Sequence, residues 1–159
     1  MKVKLFLAAF LMLFLTNLSA QEFQVYNFQK LEPRLHNQND TLYVINFWAM
    51  WCKPCVEELP HFEKAHNNFK NQKVKFLLVS LDFGKNLNQR MHAFLNRKKI
   101  TPEVIILDDP DSNKWIGKVD PNWDGALPAT LIYTKQQRQF FKGQLSYQEI
   151  KRAIENLLQ

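Results

Sequence analysis

The sequence predicts an α/β domain in which helices cover both faces of a partly parallel β-sheet. Four apolar runs carry this prediction, because most of them lack strict alternation, as is typical of strands buried on both faces. Segments with apolar residues at steps of three and four separate or follow the runs, which favours a sandwich of alternating strands and helices. The runs cover residues 42–48, 74–81, 104–107 and 129–133.

The remaining elements are predicted in chain order. Residues 23–28 fit a leading strand, and residues 31–36 fit a short helix. Three later segments have the helical period and each predicts a face packed on the core. Their apolar stripes are Val56, Leu59, Phe62, Ala65 and Phe69; Leu87, Met91, Phe94 and Leu95; and Tyr147, Ile150, Ile154, Leu157 and Leu158.

An antiparallel hairpin is predicted at one side of the sheet. Residues 133–134 and 138–141 would form it, joined by residues 135–137, and residues 139–142 would be the last strand. Residues 108–125 are expected to be irregular, because their acidic and amide side chains favour turns.

Composition limits the class of protein. The chain has 159 residues and 46% of them are hydrophobic, so we expect one domain with a substantial core and exclude wholesale disorder. Lys and Arg number 21 against 15 Asp and Glu, a net charge of +6. The only run of cations, Arg97, Lys98 and Lys99, is typical of a solvated helix end. No nucleic-acid partner is expected, since that function favours a basic stripe with interleaved aromatic residues.

Residues 1–20 have the layout of a secretory signal peptide. Lys2 and Lys4 precede an apolar run over residues 5–15, and cleavage is expected after Ala20. The run is shorter than the roughly 20 residues that span a bilayer, and a retained N-terminal anchor is the alternative that would attach the protein to a membrane. Residues 21–159 are predicted to form the domain, in the periplasm or cell envelope. Removal of two lysines leaves a charge of 19 minus 15, or +4.

Cys52 and Cys55 lie where a reactive thiol is expected. They follow a buried strand and open an amphipathic helix, whose free N–H groups and dipole stabilise a thiolate. Two intervening residues leave both sulfurs within disulfide range. Cys52, outside the helix, is the candidate nucleophile, and Cys55 is the candidate resolving cysteine. Lys53 adds positive charge nearby, and Pro54 stiffens the loop.

Two other roles for the cysteines have less support. A purely stabilising disulfide would gain little from closing so short a loop. A zinc site would need His61 and His66, but only five residues separate Cys55 from His61, fewer than a zinc finger normally has. We therefore predict neither a metal nor a cofactor.

The residues around the cysteines resemble a known superfamily. They read Asn46-Phe47-Trp48-Ala49-Met50-Trp51-Cys52-Lys53-Pro54-Cys55, followed by Glu57-Glu58-Leu59-Pro60. This segment resembles the thioredoxin superfamily, most closely its exported TlpA/ResA-type thiol-disulfide oxidoreductases, and a looser similarity covers residues 40–158. The resemblance implies a thioredoxin fold, a central mixed sheet flanked by helices, with Pro60 kinking the helix after the cysteines.

The resemblance also implies a role for a buried acid. Many thioredoxins have a buried Asp at the position of Asn46, which cannot take a proton. TlpA/ResA-type proteins have a buried carboxylate one helical turn after the second cysteine, and Glu58 lies at this place. Glu58 is therefore expected to tune the cysteine pKa values, with Glu57 as the surface residue. The alternative is that Glu58 is a solvated helix glutamate.

Four residues are expected to contact the substrate. The resemblance implies a cis proline at Pro128, opposite the cysteines, and backbone hydrogen bonds from Leu127 to the substrate chain. Trp51 and Trp123 are expected at the rim of the site, where they would help to select the partner. The alternative for Trp123 is a position in the core.

The predicted function is dithiol–disulfide exchange with protein substrates in the cell envelope. The resemblance favours the reductant direction, which requires an upstream electron donor, expected to be a membrane thiol carrier. One alternative is an oxidant of the same chemistry. Another is a non-catalytic, redox-dependent binding or metal-handling module in envelope protein assembly. A peroxidase is less favoured, because the sequence shows no cysteine environment typical of one.

Overall fold

A six-stranded sheet in the order β1-β4-β3-β2-β5-β6 forms the centre of the computed structural model, which describes residues 22–159. The strands are Gln24–Tyr26 (β1), Leu42–Trp48 (β2), Val74–Ser80 (β3), Glu103–Leu107 (β4), Ala129–Tyr133 (β5) and Arg138–Lys142 (β6). In the same residues the helices are Phe28–Leu31 (α1), Lys53–Phe69 (α2), Leu87–Lys98 (α3), Ser112–Val119 (α4) and Tyr147–Leu157 (α5), with a 3-10 turn at Glu32–Leu35 after α1.

The sheet is mixed, and its pairing brings three strand ends together. β1, β4, β3 and β2 pair in parallel, whereas β5 pairs antiparallel with β2, and β6 pairs antiparallel with β5. The register places Trp48, the last residue of β2, beside Ser80 of β3. It also places Phe47 opposite Ala129, the first residue of β5. The cysteine loop leaves the sheet at this edge.

Side chains of β2 alternate between two cores, one on each face of the sheet. Val44 and Trp48 pack with residues of α2, α3 and α5. Tyr43 and Phe47 pack on the other face with residues of α1 and α4. All seven residues of β2 are buried, which explains why its sequence shows no apolar–polar alternation.

The four predicted buried strands, the three predicted long helices and the hairpin are confirmed. The hairpin closes with a hydrogen bond from Thr134 N to Gln137 O of 2.8 Å. The leading strand is shorter than predicted, and the helix expected over residues 31–36 is instead the last residue of α1 followed by the 3-10 turn.

The prediction that residues 108–125 are irregular is wrong in the middle of that segment, where α4 forms. Trp115 and Val119, four residues apart, are both buried against the second core. Packing of an apolar face stabilises short helices more than intrinsic propensity does. The predicted turn chemistry is present before α4, where the Asp109 carboxylate accepts hydrogen bonds from Phe28 N and Asp111 N.

The predicted signal peptide, residues 1–20, lies outside the described residues. Within residues 22–159, no helix combines the length and the apolar character that crossing a membrane requires.

Candidate active site

The cysteine pair lies at the junction between β2 and α2. Cys52 is the N-cap of α2, with extended backbone, and its Sγ accepts a hydrogen bond of 3.3 Å from Cys55 N. Pro54 lies in the first turn of the helix, where the missing N–H of proline would have had no helical partner. The helix N-terminus therefore directs free N–H groups and its dipole at the first sulfur.

Cys52 and Cys55 form a disulfide, with 5.3 Å between their Cα atoms. Cys52 is 6% exposed, whereas Cys55 is fully buried. The two sulfurs are therefore inequivalent, since a reaction partner can approach only the first. This is the asymmetry that an attacking and a resolving cysteine require.

Glu58 is a buried carboxyl one turn along α2 from Cys55, and it has no solvent-exposed surface. Its Oε1 accepts a hydrogen bond of 2.8 Å from Asn46 Nδ2, and its Oε2 accepts one of 2.9 Å from Leu145 N. Burial raises the pKa of Glu58 to about 7, although the hydrogen bonds from Leu145 and Asn46 act to lower it. The alternative of a solvated helix glutamate is wrong. A carboxyl with this pKa can exchange a proton near neutral pH.

Asn46 connects Glu58 to the sheet. Its Nδ2 also donates a hydrogen bond of 3.0 Å to Thr130 Oγ1, and Thr130 lies directly opposite on β5. Its Oδ1 is buried, and no described residue donates to it. An amide rotation of Asn46 would turn this unpaired acceptor toward Glu58, which can donate a hydrogen bond only when it is protonated.

The Leu127–Pro128 peptide bond is cis, as the resemblance implies. Because Ala129 pairs with Phe47, Pro128 lies level with the carboxyl end of β2, from which the cysteine loop leaves. The carbonyl of Pro128 accepts a hydrogen bond of 2.9 Å from Gly143 N. Leu127 is half-buried and packs against both cores.

The two tryptophans expected at the rim differ in burial. Trp51 is 62% exposed beside Cys52. The rim position predicted for Trp123 is wrong, because its ring is 5% exposed and packs against Phe47, Trp115 and Phe140. Its Nε1 donates a hydrogen bond of 2.9 Å to Ala126 O. Trp123 therefore contacts the segment before Leu127 only from the core side, through this hydrogen bond.

Asp82 and Ser80 also belong to the site, although they were not among the predicted site residues. The buried Asp82 carboxylate accepts hydrogen bonds from Met50 N, at 2.9 and 3.1 Å, and from Ser80 Oγ at 2.8 Å. Leu81 N also donates to Trp48 O at 2.8 Å. These contacts fix the chain just before Cys52. The signal was available in the sequence, since polar side chains at the carboxyl end of a buried strand often serve a site at that edge.

The residues of the alternative zinc site do not form a cluster. Both cysteine sulfurs are in the disulfide, and within residues 22–159 no three side chains of His, Cys, Asp or Glu are grouped closely enough to bind one metal ion.

Comparison with known proteins relates the chain to thiol chemistry. Residues 17–138 match the AhpC/TSA family. The chain is 28% identical over 142 residues to the thiol-disulfide oxidoreductase ResA of Geobacillus kaustophilus. The aligned region covers 87% of this chain and 76% of that protein. The structure of StoA from Bacillus subtilis superposes with a TM-score of 0.57 at 19% identity, covering 73% of this chain and 83% of that one. A secreted thiol-disulfide isomerase from Corynebacterium glutamicum gives a TM-score of 0.62 at 17% identity, covering 76% and 72%.

Proposed function

Because the chain belongs to the AhpC/TSA family and is a thiol-disulfide oxidoreductase of the ResA/TlpA type with a thioredoxin-like fold, we propose that Cys52 and Cys55 reduce disulfides of protein substrates in the cell envelope. The observation that carries this proposal is the disulfide at the N-terminus of α2. One sulfur is reachable, and the other is buried one helical turn before the buried carboxyl of Glu58.

The reaction begins from the dithiol form. The Cys52 thiolate attacks one sulfur of the substrate disulfide, which forms a mixed disulfide and releases the first substrate thiolate. Cys55 then loses its proton and attacks the Sγ of Cys52, which releases the second substrate thiolate and leaves the enzyme disulfide. Two electrons and two protons pass to the substrate in each cycle. A separate thiol donor, which we propose is a membrane thiol carrier, must restore the dithiol.

Glu58 is the proposed proton acceptor for Cys55 and sets its pKa. It is three residues beyond Cys55 on α2, so the two side chains lie on the same face of the helix. With its pKa near 7, the carboxylate can take the thiol proton when Cys55 attacks and return it to solvent afterwards. We expect Glu58→Gln to change the cysteine pKa values in a thiol titration of the reduced protein. Unchanged values would contradict this role.

Trp51, Leu127 and Pro128 are proposed to contact the substrate chain. The exposed ring of Trp51 adjoins Cys52, and Pro128 lies level with the end of β2. Because Trp123 is buried, we propose that it affects substrate contact only indirectly, through its hydrogen bond to Ala126 O.

Export to the cell envelope is proposed from residues 1–20, whose layout fits a secretory signal. The description of one structural neighbour as a secreted thiol-disulfide isomerase agrees with this location. N-terminal sequencing of the exported protein would distinguish cleavage after Ala20 from a retained anchor.

Insulin reduction in the presence of a small thiol tests the activity. We expect wild type to reduce insulin above background and Cys52→Ser to be inactive, whereas Cys55→Ser would accumulate the mixed disulfide. Activity no higher than background in both wild type and Cys52→Ser would favour a non-catalytic binding module instead.

The reduction potential of the Cys52–Cys55 couple tests the direction. A value near that of thioredoxin, about −270 mV, agrees with a reductant, whereas a value of about −120 mV would contradict this direction and indicate an oxidant.

A further inference from the structure

A groove of about 610 Å³ lies between α3 and the start of α2, next to the cysteine loop. Met50 and Val56, both half-buried, form its near end and its accessible apolar surface. Phe94 also lines the groove, but only 7% of it is exposed. Met50 is two residues before Cys52 and Val56 directly follows Cys55, so their Cα atoms lie within about 8 Å of the nearer cysteine Cα. A polypeptide reacting at Cys52 can therefore reach this groove.

The charged residues that line the groove are all cations: Arg90, Arg97 and Lys98. Arg90, Phe94 and Arg97 follow one another at helical spacing, so they lie along one face of α3. Arg97 lies over the ring of Phe94, 5.8 Å from its centroid. The surface thus combines an apolar end at Met50 and Val56 with cations along α3.

No acidic side chain among residues 22–159 pairs with these cations. None of the three forms an ion pair within residues 22–159. Two acids on the exposed side of α2 have other partners. Glu57 pairs with Lys53, and Glu63 accepts hydrogen bonds from Thr101 N and Oγ1.

The helix dipole explains only part of this charge. Arg97 and Lys98 lie in the last turn of α3, where cations are favourable. Arg90 lies near the N-terminal end, where the dipole disfavours a cation. Its guanidinium contacts Phe83 O and Lys85 O at 3.5 Å, which holds its charge beside the groove.

We infer that this groove binds an acidic segment of the substrate protein, close in its chain to the disulfide that Cys52 attacks. The inference rests on the proposed function, which supplies a polypeptide substrate. Carboxylates of that segment pair with Arg97, Lys98 and Arg90, while an apolar side chain covers Met50 and Val56. The contact raises the rate at which acidic substrates form the mixed disulfide.

Two synthetic peptides test the inference. Each has one internal disulfide, flanked by glutamates in the first peptide and by glutamines at the same positions in the second. The reduced full-length protein is mixed with each peptide, and tryptophan fluorescence gives the second-order rate constant of oxidation. Each reaction moves two electrons from the Cys52–Cys55 pair to the peptide disulfide, and the two peptide thiolates that are released take up protons from solvent.

We expect the acidic peptide to react about tenfold faster at low salt, at the lower end of electrostatic steering. The preference should decrease from about 0.01 M to about 1 M salt, as the screening length falls from about 30 Å to about 3 Å. The double variant Arg97→Gln/Lys98→Gln should lose most of the preference, because it removes two of the three cations.

A matched control separates the groove from net charge. Lys70→Gln/Lys73→Gln also removes two exposed cations, but Lys73 O pairs with Leu42 N at the start of β2, about 20 Å from the cysteine edge of the sheet. This control should keep the preference for the acidic peptide.

The outcomes distinguish the two proposals. Equal rates for the two peptides, or an equal loss of preference in both double variants, would overturn the groove assignment, provided that a small uncharged disulfide still oxidises the protein. If the wild-type dithiol does not react with that uncharged disulfide, the proposed function itself is overturned, and the groove assignment with it.

Discussion

Glu58 keeps an ionisable carboxyl inside the protein through two hydrogen bonds. One comes from the side chain of Asn46 and the other from the backbone of Leu145. Both groups donate, so they suit a carboxylate, yet burial opposes the charge and raises the pKa of Glu58 to about 7. The residue therefore changes protonation within the ordinary working range of pH.

The raised pKa predicts that stability depends on pH. Between about pH 4.5 and pH 7 the unfolded chain releases the Glu58 proton while the folded protein keeps it, so stability falls as pH rises through this window. At 1.36 kcal/mol per pKa unit, we expect a loss of roughly 3 kcal/mol in wild type that is absent in Glu58→Gln. Urea unfolding of the oxidised protein across this range measures it.

Glu58→Gln is a suitable comparison because its amide can be accommodated. A rotation of the Asn46 amide directs the unpaired Asn46 Oδ1 at the new N–H₂ group, in exchange for the hydrogen bond from Asn46 Nδ2 to Thr130 Oγ1. The glutamine oxygen still accepts from Leu145 N. Parallel pH profiles for wild type and Glu58→Gln would contradict the assignment of this pH dependence to Glu58.

At the scale of elements, the carboxyl end of β3 positions the loop that begins α2. The Asp82 carboxylate accepts hydrogen bonds from Met50 N and from Ser80 Oγ, and Ser80 Oγ in turn accepts one of 3.0 Å from Asp82 N. The loop before Cys52 is therefore held by a side chain from the neighbouring strand as well as by its own backbone.

Asp82→Ala should loosen this loop. The change leaves Met50 N and the Ser80 hydroxyl without their acceptor, which costs about 1–3 kcal/mol of stability for a buried group. We expect insulin reduction to slow as well, because Cys52 is no longer fixed. Asp82→Asn keeps one acceptor oxygen and should lose less on both measures. Wild-type stability and rate in Asp82→Ala would show that the backbone alone fixes the loop.

Local sequence patterns predicted most elements but not α4. Its buried residues, Trp115 and Val119, make a single helical step among polar residues, too short a pattern to outweigh the turn signals around it. By contrast, β2 and β5 had long apolar runs, and their bounds were predicted correctly.

The site was predictable where its chemistry lies within one segment. Cys52, Cys55 and Glu58 share the start of α2, so their spacing was informative. The partners of Glu58 and of the cysteine loop come from distant parts of the chain. Leu145 is 87 positions from Glu58, and Asp82 is 32 positions from Met50. Only the pairing of the strands brings such residues together.

At the scale of the molecule, tryptophans divide between surface and core. Trp51 is 62% exposed, whereas Trp123 contacts three aromatic rings of the second core. This division separates the contact with substrate proposed for Trp51 from the effect of Trp123 on folding.

Trp51→Ala should therefore affect mainly the reaction rate, and Trp123→Ala mainly the stability. We expect Trp51→Ala to change stability by less than about 0.5 kcal/mol and to slow insulin reduction. Trp123→Ala should lose about 3–5 kcal/mol, a large share of the roughly 5–15 kcal/mol that stabilises a domain. Urea unfolding and initial rates measure both. A stable Trp123→Ala protein with altered substrate preference would support the rim position that its burial contradicts.

The strands at the two edges of the sheet have a consequence for behaviour at high concentration. β1 has only three residues, and β6 begins with Arg138 and ends with Lys142. Short or charged edges are poor templates for pairing with another chain. We expect the concentrated protein to resist assembly into fibrils, because neither edge offers the long, flat and uncharged backbone on which intermolecular sheets grow.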